Sequence, residues 1–130
     1  MTQRLVLVVL FAASLAVAAC AGGGTSAGQS TGGGGAVQQV AVKAVTGLKF
    51  DQAALTVRSG SPVHLTLNDT DSVLHDWTVD SLDGKKVTVQ ANPGQSASVD
   101  FTPSTAGSYE FYCSQPGHKE AGMKGTLTVQ

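Results

Sequence analysis

From residue 37 to residue 130 apolar side chains recur at every second position in short runs, and no stretch of ten carries the 3.6-residue period of a helix. In SPVHLTLND, Val63, Leu65 and Leu67 share one face of an extended chain while His64 and Thr66 take the other. His75, Trp77 and Val79 fall together in HDWTVD, as do Tyr109, Phe111 and Cys113 in SYEFYC. Further runs at 40–45, 55–57, 86–89, 97–101 and 126–129 bring the total to about eight strands. Turn formers separate them: Ser59, Gly60 and Pro62; residues 68–72; the hairpin pair Asp83-Gly84; Asn92, Pro93 and Gly94; residues 103–107. So many short strands at such spacing predict an all-β sandwich or barrel. On that reading His64 is a surface residue, Trp77, Phe101 and Phe111 are core, and Tyr109 is core with its hydroxyl bonded to backbone.

The first 35 residues follow a different grammar. MTQRLVLVVLFAASLAVAAC has one positive charge at Arg4, an apolar run and small residues before Cys20, the signature of an export signal over residues 1–19. The uncharged run 5–19 is 15 residues, short of the roughly 20 that span a bilayer. Its ending, VAAC, resembles the lipobox of bacterial lipoproteins. The resemblance implies cleavage before Cys20, lipid on the Cys20 sulfur, and an extracytoplasmic protein anchored to a bacterial membrane, at its periplasmic or outer face. Residues 20–35 are half glycine and otherwise small or polar, a composition too poor in apolar surface to fold. They read as a tether with a span of about 20–24 Å, leaving residues 36–130 as the folded domain.

Without the leader the chain holds seven basic and nine acidic residues, a net charge of −2, with no basic cluster. Nucleic acid is therefore not an expected partner. The glycine clusters at 22–24 and 32–35 lack the following helix and lysine of a phosphate-binding loop. A lipidated Cys20 leaves Cys113 without a thiol partner in the chain. Cys113 is then a metal ligand, a reactive nucleophile, or a thiol that pairs with another chain.

The stretch CSQPGHKEAGM places Cys113, His118 and Met123 at five-residue intervals. Electron-transfer copper takes two imidazoles and a thiolate in a plane with a weak thioether on the axis, and this stretch offers three of those four groups. Pro116, Gly117 and Gly122 let such a loop fold back on itself. The natural fourth donor is His75, which begins a strand in phase with Trp77. A nucleophile–base pair of Cys113 and His118 lacks an orienting third residue and leaves Met123 without a purpose. Zinc is a poor match because a thioether is a soft ligand. A dinuclear copper site needs a second cysteine in the loop, and multicopper enzymes need more than three histidines.

With VLHDW, GSYEFYCSQPGH and AGMKGTLTV in this order, residues 40–130 resemble the cupredoxins, the small blue copper proteins. The Cys-x4-His-x4-Met spacing is most similar to the auracyanins, whereas plastocyanins and azurins differ in these intervals. The resemblance implies a Greek-key β-sandwich that holds one mononuclear type 1 copper on His75, Cys113, His118 and Met123. It also implies a monomeric single-electron carrier rather than an enzyme, with no catalytic residues. In that picture Cys113 gives the strong charge-transfer absorption, His118 is the electron port, Met123 tunes the potential, and an apolar rim at Pro116 and Ala121 meets redox protein partners. Kinship with auracyanins adds a quinol-oxidising complex on one side and a reaction centre or terminal oxidase on the other. The alternative is a copper-binding or copper-delivering lipoprotein whose metal is cargo. One residue departs from the family pattern. Many cupredoxins have asparagine after the first histidine, and here it is Asp76. An ionised Asp76 is expected to accept a hydrogen bond from Ser114 and to lower the reduction potential. Lys119, Glu120 and Lys124 read as solvated charges beside the port.

Overall fold

In the computed structural model the described residues are 35–130. The leader over 1–19, Cys20 and all of the tether but its last residue lie outside them.

The described residues form nine strands: β1 (Gln38–Val45), β2 (Lys49–Phe50), β3 (Ala54–Val57), β4 (Val63–Asp69), β5 (His75–Leu82), β6 (Lys85–Ala91), β7 (Ser96–Phe101), β8 (Gly107–Tyr112) and β9 (Lys124–Val129). The strand beyond the eight expected is β2, whose two residues are too few to show alternation. It folds back on β1 through Gly47 and Leu48, both at positive φ.

Four strands form one sheet in the order β2-β1-β4-β7, and five form the other in the order β3-β9-β8-β5-β6. The β1·β4 and β3·β9 pairs are parallel and the rest antiparallel. Parallel neighbours require long crossovers, so the chain passes from sheet to sheet and closes a sandwich, as the alternation predicted.

Between the sheets lie the inward residues of each strand, with Val42, Leu65 and Leu67 from one and Trp77, Val79, Phe111 and Leu127 from the other. Trp77 packs against Phe101 and Phe111, and Phe111 meets Phe50 edge to face with ring centroids 5.4 Å apart. Burial of one such aromatic, about 150–250 Å², is worth roughly 4–6 kcal/mol at about 25 cal/mol per Å². His64 is a surface residue paired with Asp100 across β4·β7, and the Tyr109 hydroxyl donates to the Thr105 carbonyl at 2.9 Å.

Strand β5 departs from simple alternation. His75 through Val79 are all buried, Asp76 and Thr78 included. Asp76 is covered by the chain that follows β8, and Thr78 bonds Thr88 of β6 at 2.7 Å. The Asp83-Gly84 turn joins β5 to β6 with φ of 52° and 75°, the doubly left-handed geometry that matches strand twist.

Candidate metal centre

Strand β8 ends at Tyr112, and Tyr112 pairs with Thr78 of β5. Antiparallel pairing then sets Cys113, the residue just past β8, opposite Trp77, and the first residue of β5, His75, two positions further along, diagonally across from it. A local feature of each strand, its end, thus becomes a shared site at one edge of the sandwich.

The connection from β8 to β9, residues 113–123, closes on itself through its own backbone. The Cys113 N–H donates to the Met123 carbonyl, and the Met123 N–H to the His118 carbonyl, both at 3.0 Å. The His118 N–H donates to Gln115 and the Ala121 N–H to Gly117. Gly117 at φ 80° and Gly122 at φ 101° make the two reversals this requires. Cys113, His118 and Met123 are held together by these bonds.

The Cys113 Sγ lies 3.8 Å from His75 Nδ1 and 3.4 Å from His118 Nδ1. The ligand atoms of the three residues are all within 4.8 Å of one another. A thiolate at about 2.3 Å and an imidazole at about 2.0–2.1 Å from one first-row ion, with an opening of 110–120°, stand about 3.6–3.8 Å apart. The observed separations bracket that value, so the donors fit a single shared ion. His75, Cys113 and Met123 are fully buried, whereas His118 is half-buried at the rim beside exposed Pro116, Gly117 and Ala121.

The groups around the donors carry charge. Burial pushes the Cys113 thiol above its ordinary range; the Asp76 and Gln115 amides oppose that, and the Asp76 and Asp69 carboxylates reinforce it. Asp76 packs its backbone N–H against Sγ at 3.4 Å. Its carboxylate collects Thr78 Oγ1 (2.8 Å) and Ser114 N (2.9 Å) on Oδ1, and Ser114 Oγ and Gln115 Nε2 (2.9 Å each) on Oδ2. Burial alone would raise the Asp76 carboxyl, but these donors outweigh it and hold the group below its ordinary value. The Ser114 contact expected from sequence is therefore one of four.

Asp71 went unnoticed in the sequence. His75 Nε2–H donates to Asp71 Oδ2 at 3.3 Å, and Asp71 is four residues ahead of His75 in the bend that leads into β5. An irregular bend has no periodicity to mark such a residue; the only signal is the Asp-x3-His spacing itself. The Ser72 amide first, and His75 next against opposing burial, keep the Asp71 carboxyl below its ordinary value. Lys119 is more than a solvated charge: its ammonium pairs with Glu110 and sits 3.9 Å over the Tyr112 ring.

The sequence model for copper binding proteins of the plastocyanin/azurin family matches residues 36–130. The chain belongs to that family. This cupredoxin is 52% identical to Auracyanin-B of Chloroflexus aurantiacus over 42 residues, which are 32% of its own chain and 18% of that relative. It is 30% identical to the copper-resistant cuproprotein CopI of Rubrivivax gelatinosus over 112 residues, 73% of this chain and 68% of that one. The solved structure of auracyanin B matches the cupredoxin with a TM-score of 0.63 at 29% identity, over 72% of this chain and 88% of the other. Family and donor set agree on one type 1 copper as the cofactor.

Proposed function

We propose that this cupredoxin is a membrane-tethered single-electron carrier, with His75, Cys113, His118 and Met123 holding its copper and lipid on Cys20 fixing it to a bacterial membrane on the extracytoplasmic side, at its periplasmic or outer face. The observation that carries the reading is the convergence of two imidazole nitrogens and a thiol at separations suited to one ion, with a loop closed by its own hydrogen bonds around them. Copper bound there supplies a one-electron Cu(II)/Cu(I) couple. The chain's part is to keep the donors still: β5 fixes His75, and the closed loop 113–123 fixes the other three. Fixed donors need little rearrangement between oxidation states, and a filled donor set leaves no position for a substrate. His118 at the half-buried rim is the shortest way in for an electron, and exposed Pro116 and Ala121 offer the apolar surface a partner covers. Likeness to auracyanins favours a quinol-oxidising complex as donor and a reaction centre or terminal oxidase as acceptor.

The likeness to a copper-resistance protein favours a second reading, in which copper is cargo. The two readings separate on retention. Copper(II) added to the purified protein is expected to give an intense visible thiolate charge-transfer band that bleaches reversibly with one electron per chain and survives a competing chelator. A band that forms but is lost to the chelator favours cargo, and absence of the band rejects the site. For the tether, Cys20→Ser is expected to release the protein from membranes into the soluble extracytoplasmic fraction; retention on the membrane would reject the lipid anchor.

A further inference from the structure

The structure holds a carboxylate behind His75 that the copper reading leaves without a role. His75 is fully buried and the Asp71 side chain is 9% exposed, so the bond from His75 Nε2–H to Asp71 Oδ2 is sheltered from water. A proton committed to Nε2 leaves the lone pair on Nδ1, the atom that faces Cys113 Sγ at 3.8 Å. Asp71 is itself pinned. The Ser72 N–H donates to its Oδ1 at 2.7 Å, and its own N–H donates to Asp69 Oδ1 at 2.9 Å. Asp69 is buried, and among the described residues its Oδ2 has no partner. Thr70 anchors the start of the bend, with its N–H and hydroxyl both on the Ala44 carbonyl of β1. The orientation of His75 is thus set from the opposite sheet through Thr70, Asp69 and Asp71.

We propose that Asp71 is a positioning residue for the copper site: it selects the tautomer and angle of His75 and, as an anion behind the ring, biases the site toward Cu(II). The inference rests on the copper reading above. A carboxylate that accepts the far N–H makes an imidazole a stronger donor, which favours the more highly charged metal state. Together with Asp76 on the Cys113 side, it makes this an electron-rich site.

The test compares the copper-loaded full chain with its Asp71→Asn and Asp71→Ala variants, by potentiometry and by separate Cu(II) and Cu(I) affinity titrations. Asp71→Asn removes the charge and leaves one amide oxygen, which can accept Nε2–H at the expense of the Ser72 N–H bond. Its Cu(II)/Cu(I) affinity ratio is expected to fall about tenfold, which raises the potential by about 59 mV for one electron. Asp71→Ala also frees the ring, and its Cu(II) affinity is expected to fall about 10- to 100-fold. A merely structural role would lower the unfolding midpoint of the metal-free variants and leave the potential in place; that result overturns the proposal. Nitrogen NMR of the reduced wild type reads the tautomer without any variant, and a His75 ring protonated on Nδ1 would equally overturn it. If the wild type itself forms no charge-transfer band, the copper reading fails instead, which keeps the two failures distinct.

Discussion

Replacement of Asp76 by alanine removes an acceptor shared by four donors, and the cost can be followed donor by donor. Thr78 Oγ1 retains Thr88 Oγ1 at 2.7 Å. Ser114 is exposed and Gln115 half-buried, so the Ser114 hydroxyl and the Gln115 amide turn to water at little loss. The Ser114 backbone N–H, 2.9 Å from Oδ1 in a part-buried bond, is the donor that the chain holds in place and that loses most. An orphaned donor costs about 1–3 kcal/mol when buried, and the lower end applies to a part-buried one, so at roughly 4–8 °C per kcal/mol for a domain near this size the metal-free protein should melt about 4–8 °C lower. Asp76→Asn keeps an oxygen for Thr78 and Ser114 N, loses the charge assistance that is about half the strength of such bonds, and puts an NH2 where Oδ2 accepted from Ser114 Oγ and Gln115 Nε2, so those two side chains must turn. The expected order of urea midpoints is therefore wild type, then Asp76→Asn, then Asp76→Ala. An alanine variant as stable as wild type would refute the idea that Asp76 ties the ligand loop to β5. An asparagine variant as weak as alanine would show that the charge, not the acceptor, does the holding.

Asp76 Oδ2 lies 3.9 Å from Cys113 Sγ, so the copper-loaded Asp76→Asn variant should also show a raised reduction potential by potentiometry; an unchanged potential would remove electrostatic tuning from its role. A Cβ on Gly125 would collide with the Phe111 ring and the Ala53 carbonyl, and that carbonyl holds the Thr126 N–H. Gly125→Ala should lower stability by about 1–3 kcal/mol in chemical denaturation, and a variant with the wild-type midpoint would mean that β3 is free to shift. The Thr105 side chain and the Ser104 amide depress Asp83 to about 2 from 3.8. A depressed folded-state carboxyl gives stability that is complete above pH 4 and lost as pH falls toward 2. Asp83→Asn should flatten that part of the stability–pH curve, and an unaltered slope would count against the assignment.

What the sequence made legible is whatever period two encodes. Alternation placed His75 with Trp77 and Cys113 with Phe111, and each pair lies on the core face of its strand. It made no provision for Asp76 and Thr78, which face away from that core and are buried nonetheless, because their cover comes from residues near 114 and from β6. A strand buried on both sides cannot be told from an amphipathic one by local pattern when its second face is polar. Asp71 was illegible for another reason: its meaning lies in a contact made by a bend, and bends carry no period. Lys119 looked like any loop lysine until β8 brought Glu110 and Tyr112 beneath it.

The donors are unequally spread along the chain, and that bears on how metal and folding are linked. Cys113, His118 and Met123 lie within one short segment, whereas His75 is 38 residues before Cys113. An unfolded chain keeps the first three within easy reach of one another, so it retains some hold on copper. A ligand that also binds the unfolded state stabilises the native one by less than its affinity for the native site suggests. Only His75 is a donor that the fold alone can deliver. A large share of the thermodynamic coupling between copper and the native state should therefore pass through that one histidine, and copper should raise the melting point of a His75 variant by less than that of the wild type.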